Sequence, residues 1–234
     1  MTAVPFRVVY ADPPWTYTDR CHAGERGAAY KYPTMTVADI CRMPVRELVA
    51  DDAVLFIWAT YPMLTEAVEV MYAWGFEYKT IAFSWVKTRS AVRAAAAKAL
   101  RSTGAFNDTD RAGMEHVLDV LEGAGVLASK LHWGMGNYTR ANTEPCLLGV
   151  RGKRWRESAS VHQVVMAPLG RHSAKPAEVR DRIVQLCGDV PRVELFARER
   201  AQGWDAWGAP SRGKAGSRRK PADGTRWRCA TFRP

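Results

Sequence analysis

Phe6-Arg7-Val8-Val9-Tyr10-Ala11-Asp12-Pro13-Pro14-Trp15 is an apolar, β-branched run that halts at an acid and two prolines. Such residues suit a pleated, buried surface, whereas proline has no N–H for a sheet ladder and disfavours a helical residue before it. The run therefore predicts a strand ending at Asp12. Residues 16–35, with Gly24, Gly27 and Pro33, keep no sustained period and read as a long loop leaving the carboxyl end of that strand. Loops of that length in compact domains are usually functional.

The same alternation continues downstream. Thr36 caps a short helix through Cys41, Pro44 opens a second turn, and Ala53 to Ala59 is a continuous apolar run of buried-strand type. Leu64, Val68, Met71 and Tyr72 recur at helical spacing with Gly75 as the C-cap, and Phe76 to Lys87 returns to a strand pattern. Strand, helix and strand in turn predict an α/β fold, a mostly parallel sheet with helices on both faces. Residues 88–130 break the rhythm with two amphipathic stretches, Ala91 to Leu100 and one marked by Met114, Val117, Leu118 and Leu121, read as inserted helices. Further strands are expected at Cys146–Val150, Val161–Met166 and Val193–Ala197, with a helix from Pro176 to Leu186. The expected organisation is one domain over 1–210, carrying the helical insertion at 88–130, and a basic tail over 211–234.

The 234 residues suffice for one well-buried core, and 47% hydrophobic with 25% charged residues is an ordinary globular balance. No charged leader followed by an apolar stretch precedes the first strand, which predicts a cytoplasmic chain with no membrane segment. Cys21, Cys41, Cys146, Cys187 and Cys229 are odd in number and scattered, fitting neither a disulfide framework nor zinc-site spacing. The net charge is +10, and residues 211–234 hold eight Arg or Lys against Asp223 alone. A basic tail rich in Gly, Ser and Pro reads as a polyanion-binding arm, because phosphate contacts need no fixed fold. A solvated tail that only aids solubility is the alternative.

Asp12-Pro13-Pro14-Trp15 carries the chemistry. An amino group conjugated with an aromatic ring, as on adenine, is a poor nucleophile because its lone pair is delocalised. The Asp12 carboxylate and the Pro13 carbonyl are an acceptor pair able to hold both amino hydrogens out of the ring plane. Two prolines fix the backbone and remove competing N–H donors, and Trp15 offers an aromatic face on which a flipped-out base stacks. A rigid turn with a core tryptophan is the plain structural reading.

Seven collinear blocks make the chain resemble the MT-A70 family of adenine methyltransferases. They are Ala11-Asp12-Pro13-Pro14-Trp15, Tyr32-Pro33-Thr34-Met35, Leu55-Phe56-Ile57-Trp58, Trp85-Val86-Lys87, Asn142 to Val150, His172-Ser173-Ala174-Lys175-Pro176 and Glu194-Leu195-Phe196-Ala197-Arg198. The resemblance implies a Rossmann-like methyltransferase fold in circularly permuted order, with the catalytic strand first and the cofactor strand last. It implies S-adenosyl-L-methionine as cofactor, no metal, and Asp12, Pro13, Pro14 and Trp15 as the catalytic centre. Cofactor contacts are implied for Asp12, Lys175, Glu194, Phe196, Arg198 and Arg200. Lys175 reads as a cation at a helix start that suits an anion, which the resemblance makes the methionine carboxylate; His172 either braces that loop or touches ligand. Glu144 is implied beside the target adenine, and Tyr30 and Tyr32, with Lys31, on the long loop are candidates for a lid over the base.

The implied partner is nucleic acid, DNA favoured over RNA, on the strength of likeness to short bacterial or phage members. Where that family often has asparagine after Trp207-Gly208, this chain has Ala209 and Pro210. The 88–130 insertion has no counterpart in the short core of the family, and reads as a dimer contact (homo- or hetero-), a target-recognition element or a spacer. Two other readings stay open, an RNA adenosine methyltransferase of the same family and a non-catalytic nucleic-acid-binding or scaffolding subunit; a cytosine or glutamine amino-methyltransferase would also place an acid or Asn before Pro-Pro and an aromatic, and the family blocks, more than the tetrapeptide, point to adenine. A dinucleotide-dependent oxidoreductase is discounted, since no Gly-x-Gly-x-x-Gly follows a strand.

Overall fold

The computed structural model describes residues 4–16, 34–88, 92–104, 110–123, 131–132, 134, 138–170 and 174–207. Seven strands form one sheet: β1 (Phe6–Ala11), β2 (Val49–Trp58), β3 (Glu77–Thr88), β4 (Thr143–Arg151), β5 (Val164–Pro168), β6 (Arg192–Leu195) and β7 (Asp205–Trp207). The helices are α1 (Val37–Cys41), α2 (Val45–Leu48), α3 (Leu64–Ala73), α4 (Val92–Ser102), α5 (Arg111–Gly123) and α6 (Glu178–Cys187). The strand order is β5-β3-β4-β2-β1-β6-β7. Every neighbouring pair is parallel except those of β4, which runs against both β2 and β3. This is the mostly parallel sheet expected of a Rossmann-like methyltransferase.

β1 shows how the sequence builds two cores. Its alternate side chains point to opposite faces, so Val9 and Ala11 join Leu55, Ile57, Val193 and Leu195 beneath α1, α2 and α3. Val8 and Tyr10 join Phe56, Trp58, Phe83 and Trp85 against Val179, Ile183 and Cys187 of α6. Helices therefore cover both faces. Full burial of one such apolar side chain stabilises by roughly 1.5–3 kcal/mol, which is why the central strands read as unbroken apolar runs.

The helix ends follow their signals. Thr36 Oγ1 accepts from the Asp39 N–H at 3.1 Å, as a cap does. At the end of α3, Gly75 takes φ +84°, and the N–H groups of Gly75 and Phe76 close on the carbonyls of Tyr72 and Met71. Glycine adopts that left-handed conformation without a Cβ penalty. The buried face of α3, however, is Ala67, Val70 and Met71, continued by Trp74. Tyr72, which its spacing places on the apolar face, points to solvent, because the helix is rotated to bring Trp74 onto α1.

Several boundaries differ from the sequence reading, β5 among them, which runs Val164–Pro168 rather than Val161–Met166. β1 ends at Ala11 and leaves Asp12 outside the ladder, and β6 stops at Leu195. β7, a three-residue strand after β6, has too short a pattern to register. The helices of the 88–130 stretch are present as α4 and α5, packed on each other through Ala97, Met114 and Leu118 in a cluster of their own. The chain leaves the sheet at Thr88 and returns at Leu131, which pairs with it, and the His132 N–H donates to the Lys87 carbonyl at 2.8 Å. Among the described residues no helix is long and apolar enough to cross a membrane.

Candidate active site

The parallel strands end along one edge of the sheet, and the antiparallel β4 begins there. Asp12 follows β1, Glu144 is the second residue of β4, Lys87 is next to last in β3, and Phe196 follows β6. β1 lies between β2, reached through helices on one face, and β6, reached from α6 on the other. In open α/β sheets ligands occupy the crevice outside the carboxyl ends of the strands at such a switch point. Reversing β4 brings its first residues to that edge, so Glu144 stands beside Asp12 although 132 positions separate them.

Four charges form one chain. The Lys87 ammonium lies 2.8 Å from Oε2 of Glu144, whose Oε1 is 2.9 Å from the Lys175 ammonium. Lys175 in turn lies 2.8 Å from Oδ1 of Asp12. The side chains are largely enclosed, with exposures of 19% for Lys87, 9% for Glu144, 11% for Lys175 and 24% for Asp12. Buried charges persist only when paired, and two carboxylates with two ammoniums balance. Burial raises the Asp12 pKa above its ordinary value and the Glu144 charge adds to that, while Lys175 opposes both. Burial also acts to raise Glu144, but the flanking Lys175 and Lys87 ammoniums outweigh it and hold the carboxyl low. Burial would lower Lys175; Asp12 and Glu144 overcome it and keep the ammonium firmly protonated.

The tetrapeptide is tightly held. The Trp15 N–H donates to the Pro13 carbonyl at 2.9 Å, and the Pro14 carbonyl accepts from the Met35 N–H at 2.9 Å. The Trp15 indole N–H donates to the Trp58 carbonyl at 3.0 Å, and the Trp58 indole N–H to the Tyr10 hydroxyl at 2.7 Å. The open aromatic face expected of Trp15 is not there: only 6% of the residue is exposed, and its ring fills the α1–α3 core. The indole N–H finds a buried carbonyl in that core, so the ring anchors the turn from behind. The Lys175 ammonium sits 5.6 Å from the Trp58 ring centroid, over its face.

Lys175 lies three residues before α6 rather than in its first turn, and that turn already carries Glu178 and Asp181. Its ammonium is directed at the carboxylates instead. On the neighbouring strand Glu194 is 7% exposed, and Arg180 of α6 grips both of its oxygens, at 2.7 and 2.8 Å. Phe196 takes φ +62°, a conformation bulky residues rarely adopt. Its N–H donates to the Trp207 carbonyl at 2.6 Å, which holds the turn over the end of β6. Arg198 acts electrostatically on Asp12, lowering its pKa. Arg200 pairs with Asp205 at 3.0 Å and turns toward β7.

The structure thus joins Asp12 and Glu144 through Lys175, with Arg198 acting on Asp12. Glu194 and Phe196 flank the adjoining crevice, and Arg200 is engaged elsewhere. Tyr30, Tyr32, His172, Ala209 and the tail lie outside the described residues. Sequence reasoning assigns no role to Lys87 or Arg180. Lys87 carries a signal, a cation closing the apolar half of β3, whereas Arg180 on a mixed helix carries none.

A buried, charge-balanced carboxylate site at the switch point of a Rossmann-like sheet, following an acid-Pro-Pro-aromatic turn, fits the methyltransferase that the resemblance implies. The MT-A70 family model matches residues 6–123 and 127–210, and the chain belongs to that family of adenine N(6)-methyltransferases. The matched span includes α4 and α5. The chain is 29% identical over 221 residues to the type II methyltransferase M.MunI of a Mycoplasma species, across 87% of this chain and 76% of that one. It is 26% identical over 194 residues to the human N(6)-adenosine-methyltransferase catalytic subunit METTL3, across 82% of this chain and 26% of that one. The Drosophila melanogaster N(6)-adenosine-methyltransferase MT-A70-like protein is 25% identical over 194 residues, with 82% and 24% covered. The chain thus spans about a quarter of the length of the two animal relatives.

Proposed function

We propose that this chain transfers the methyl group of S-adenosyl-L-methionine to the 6-amino nitrogen of adenine in DNA. The observation that carries the reading is the Lys175 ammonium held between Asp12 and Glu144, at 2.8 and 2.9 Å, where the catalytic and cofactor strands end side by side. The donor set fits the cofactor: a carboxylate edge suits a sulfonium cation, and Phe196 and Arg198 line the neighbouring turn. Asp12, Lys175, Glu194, Phe196 and Arg198 are assigned to holding it, and Arg200, paired with Asp205, is not. When bound, it supplies an electrophilic methyl group on sulfur.

The protein's own residues then act on the amino group. Asp12, through Oδ2, and the carbonyl of Pro13 accept one amino hydrogen each, which turns the nitrogen lone pair out of conjugation and toward the methyl carbon. The Trp15 N–H already fixes the direction of the Pro13 carbonyl, so this acceptor needs no reorganisation. Positive charge developing on the nitrogen is stabilised by Asp12, and the proton departs along that hydrogen bond. Glu144 contacts the ring edge of the base, and Trp15 braces the turn. DNA is assigned because the chain matches M.MunI over most of both lengths and the animal adenosine methyltransferases over a quarter of theirs.

The test is transfer of labelled methyl to matched DNA and RNA, followed by nucleoside digestion and mass spectrometry, with Asp12→Ala as control. Label on deoxyadenosine alone supports the assignment. Label on adenosine alone moves the substrate to RNA, and label on neither overturns the reaction.

A further inference from the structure

Glu144 has each of its two carboxylate oxygens on a different ammonium, and the two cations come from opposite directions. Lys175 approaches from the loop before α6 and is shared with Asp12, whereas Lys87 approaches from β3 and, among the described residues, pairs with Glu144 alone, at 2.8 Å. Without Lys87, two largely enclosed carboxylates would compete for one cation. The Lys87 backbone is independently fastened: its N–H donates to the Asn142 carbonyl at 2.7 Å, and its carbonyl accepts from His132 at 2.8 Å. Its register partner on β5 is Ala167. The Lys87 ammonium lies 5.0 Å from the Trp85 ring centroid, which limits where it can go.

We infer that Lys87 is a positioning residue, which by pinning Oε2 of Glu144 leaves Lys175 free to bridge Glu144 and Asp12 and so keeps Asp12 ionised and aimed at the amino group. The inference rests on the reaction proposed above. Among the described residues, the groups facing this chain of charges are Tyr10 on β1 and Asp12 after it, Glu144 and the buried Cys146 thiol on β4, Lys175 before α6, and Arg198 after β6. The Cys146 pKa is pushed far up by burial, so the thiol stays neutral and takes no part in the balance. Removing one positive charge leaves two carboxylates on one ammonium, and the pair then holds a proton to higher pH.

The test compares wild type, K87M and K87R by kcat/KM for methyl transfer as a function of pH, with cofactor binding by calorimetry. K87M is expected to lower kcat/KM at neutral pH by roughly tenfold or more and to move the acid limb up by about one pH unit, the scale of one nearby charge. K87R keeps the cation and is expected to hold the limb at its wild-type position. A K87M limb that overlays wild type, whatever its melting temperature, overturns the inference, as does K87R behaving like K87M. If K87M does not fold, K87Q is read against the same outcomes. The shift is also read without turnover, from the pH dependence of the Glu144 side-chain carboxyl carbon by NMR. A wild-type chain that methylates nothing would therefore overturn the reaction and still leave Lys87 to be decided.

Discussion

Asp12 works in a setting that makes ionisation harder, because burial and the Glu144 charge both raise its pKa. It acts as an acceptor only when ionised, so the acid limb of kcat/KM is expected above the ordinary aspartate value of 3.8 and to disappear with Asp12→Ala. That variant is expected to abolish transfer while largely preserving cofactor binding by calorimetry; retained turnover would remove Asp12 from the mechanism. Lys175→Met separates position from charge. It leaves two carboxylates facing each other in a mostly enclosed site, so a stability loss of about 3 kcal/mol in urea titration is expected, together with weaker cofactor binding. Adding Asp12→Asn to Lys175→Met is expected to return part of that stability, and additive losses would mean that the two side chains are not coupled. Asp12 was legible because it closes an apolar run, where a charge has no structural reason to be, whereas the roles of Lys175 and Glu144 came from the family resemblance. The chain of contacts was not legible, since nothing in a sequence says that residue 144 faces residue 12. Trp15 misled for the same reason: an aromatic after two prolines stacks outward or inward depending on a partner, here the Trp58 carbonyl.

At the scale of elements, α4 and α5 are the most separable part. They bury Ala97, Met114 and Leu118 against each other, and the chain is pinned where β3 ends by the isolated Thr88–Leu131 bridge. Replacing 92–123 by a short Gly-Ser linker is therefore expected to leave the sheet core folded, with a far-UV and near-UV circular dichroism signature close to wild type scaled for the lost helix. Loss of cooperative melting would show that the helices support the sheet. If the excision also changes the sedimentation coefficient beyond the lost mass, the insertion serves as a dimer contact. Sequence reading recovered most elements because their signals are local: period, caps and glycine stops. It missed the direction of β4, because an apolar run buried on both faces reads alike both ways, and direction is set by the path through the insertion. It missed β7 because three residues make no pattern. Yet the reversal of β4 is what carries Glu144 to the site edge, so the least legible feature of the fold is the one that completes the candidate site.

For the whole molecule the deciding quantity is where the charge lies. The site itself is balanced by two acids and two ammoniums and adds little to the field that would draw a polyanion. The chain nonetheless carries +10, of which residues 211–234 account for +7. A balanced site suits chemistry on a neutral base, and attraction of the phosphate backbone then falls to residues outside it. For every phosphate that the tail neutralises, its removal flattens the dependence of log K on log salt by about 0.9 for duplex and about 0.7 for single strands. Truncation after Pro210 is thus expected to weaken binding most at low salt and to flatten the slope by several units, measured by anisotropy of a labelled duplex across a salt series. Catalysis on saturating substrate is expected to persist, because none of the four charges is removed. An unaltered slope with unaltered affinity would return the tail to a solubilising role and shift the search for phosphate-binding residues to the sheet domain.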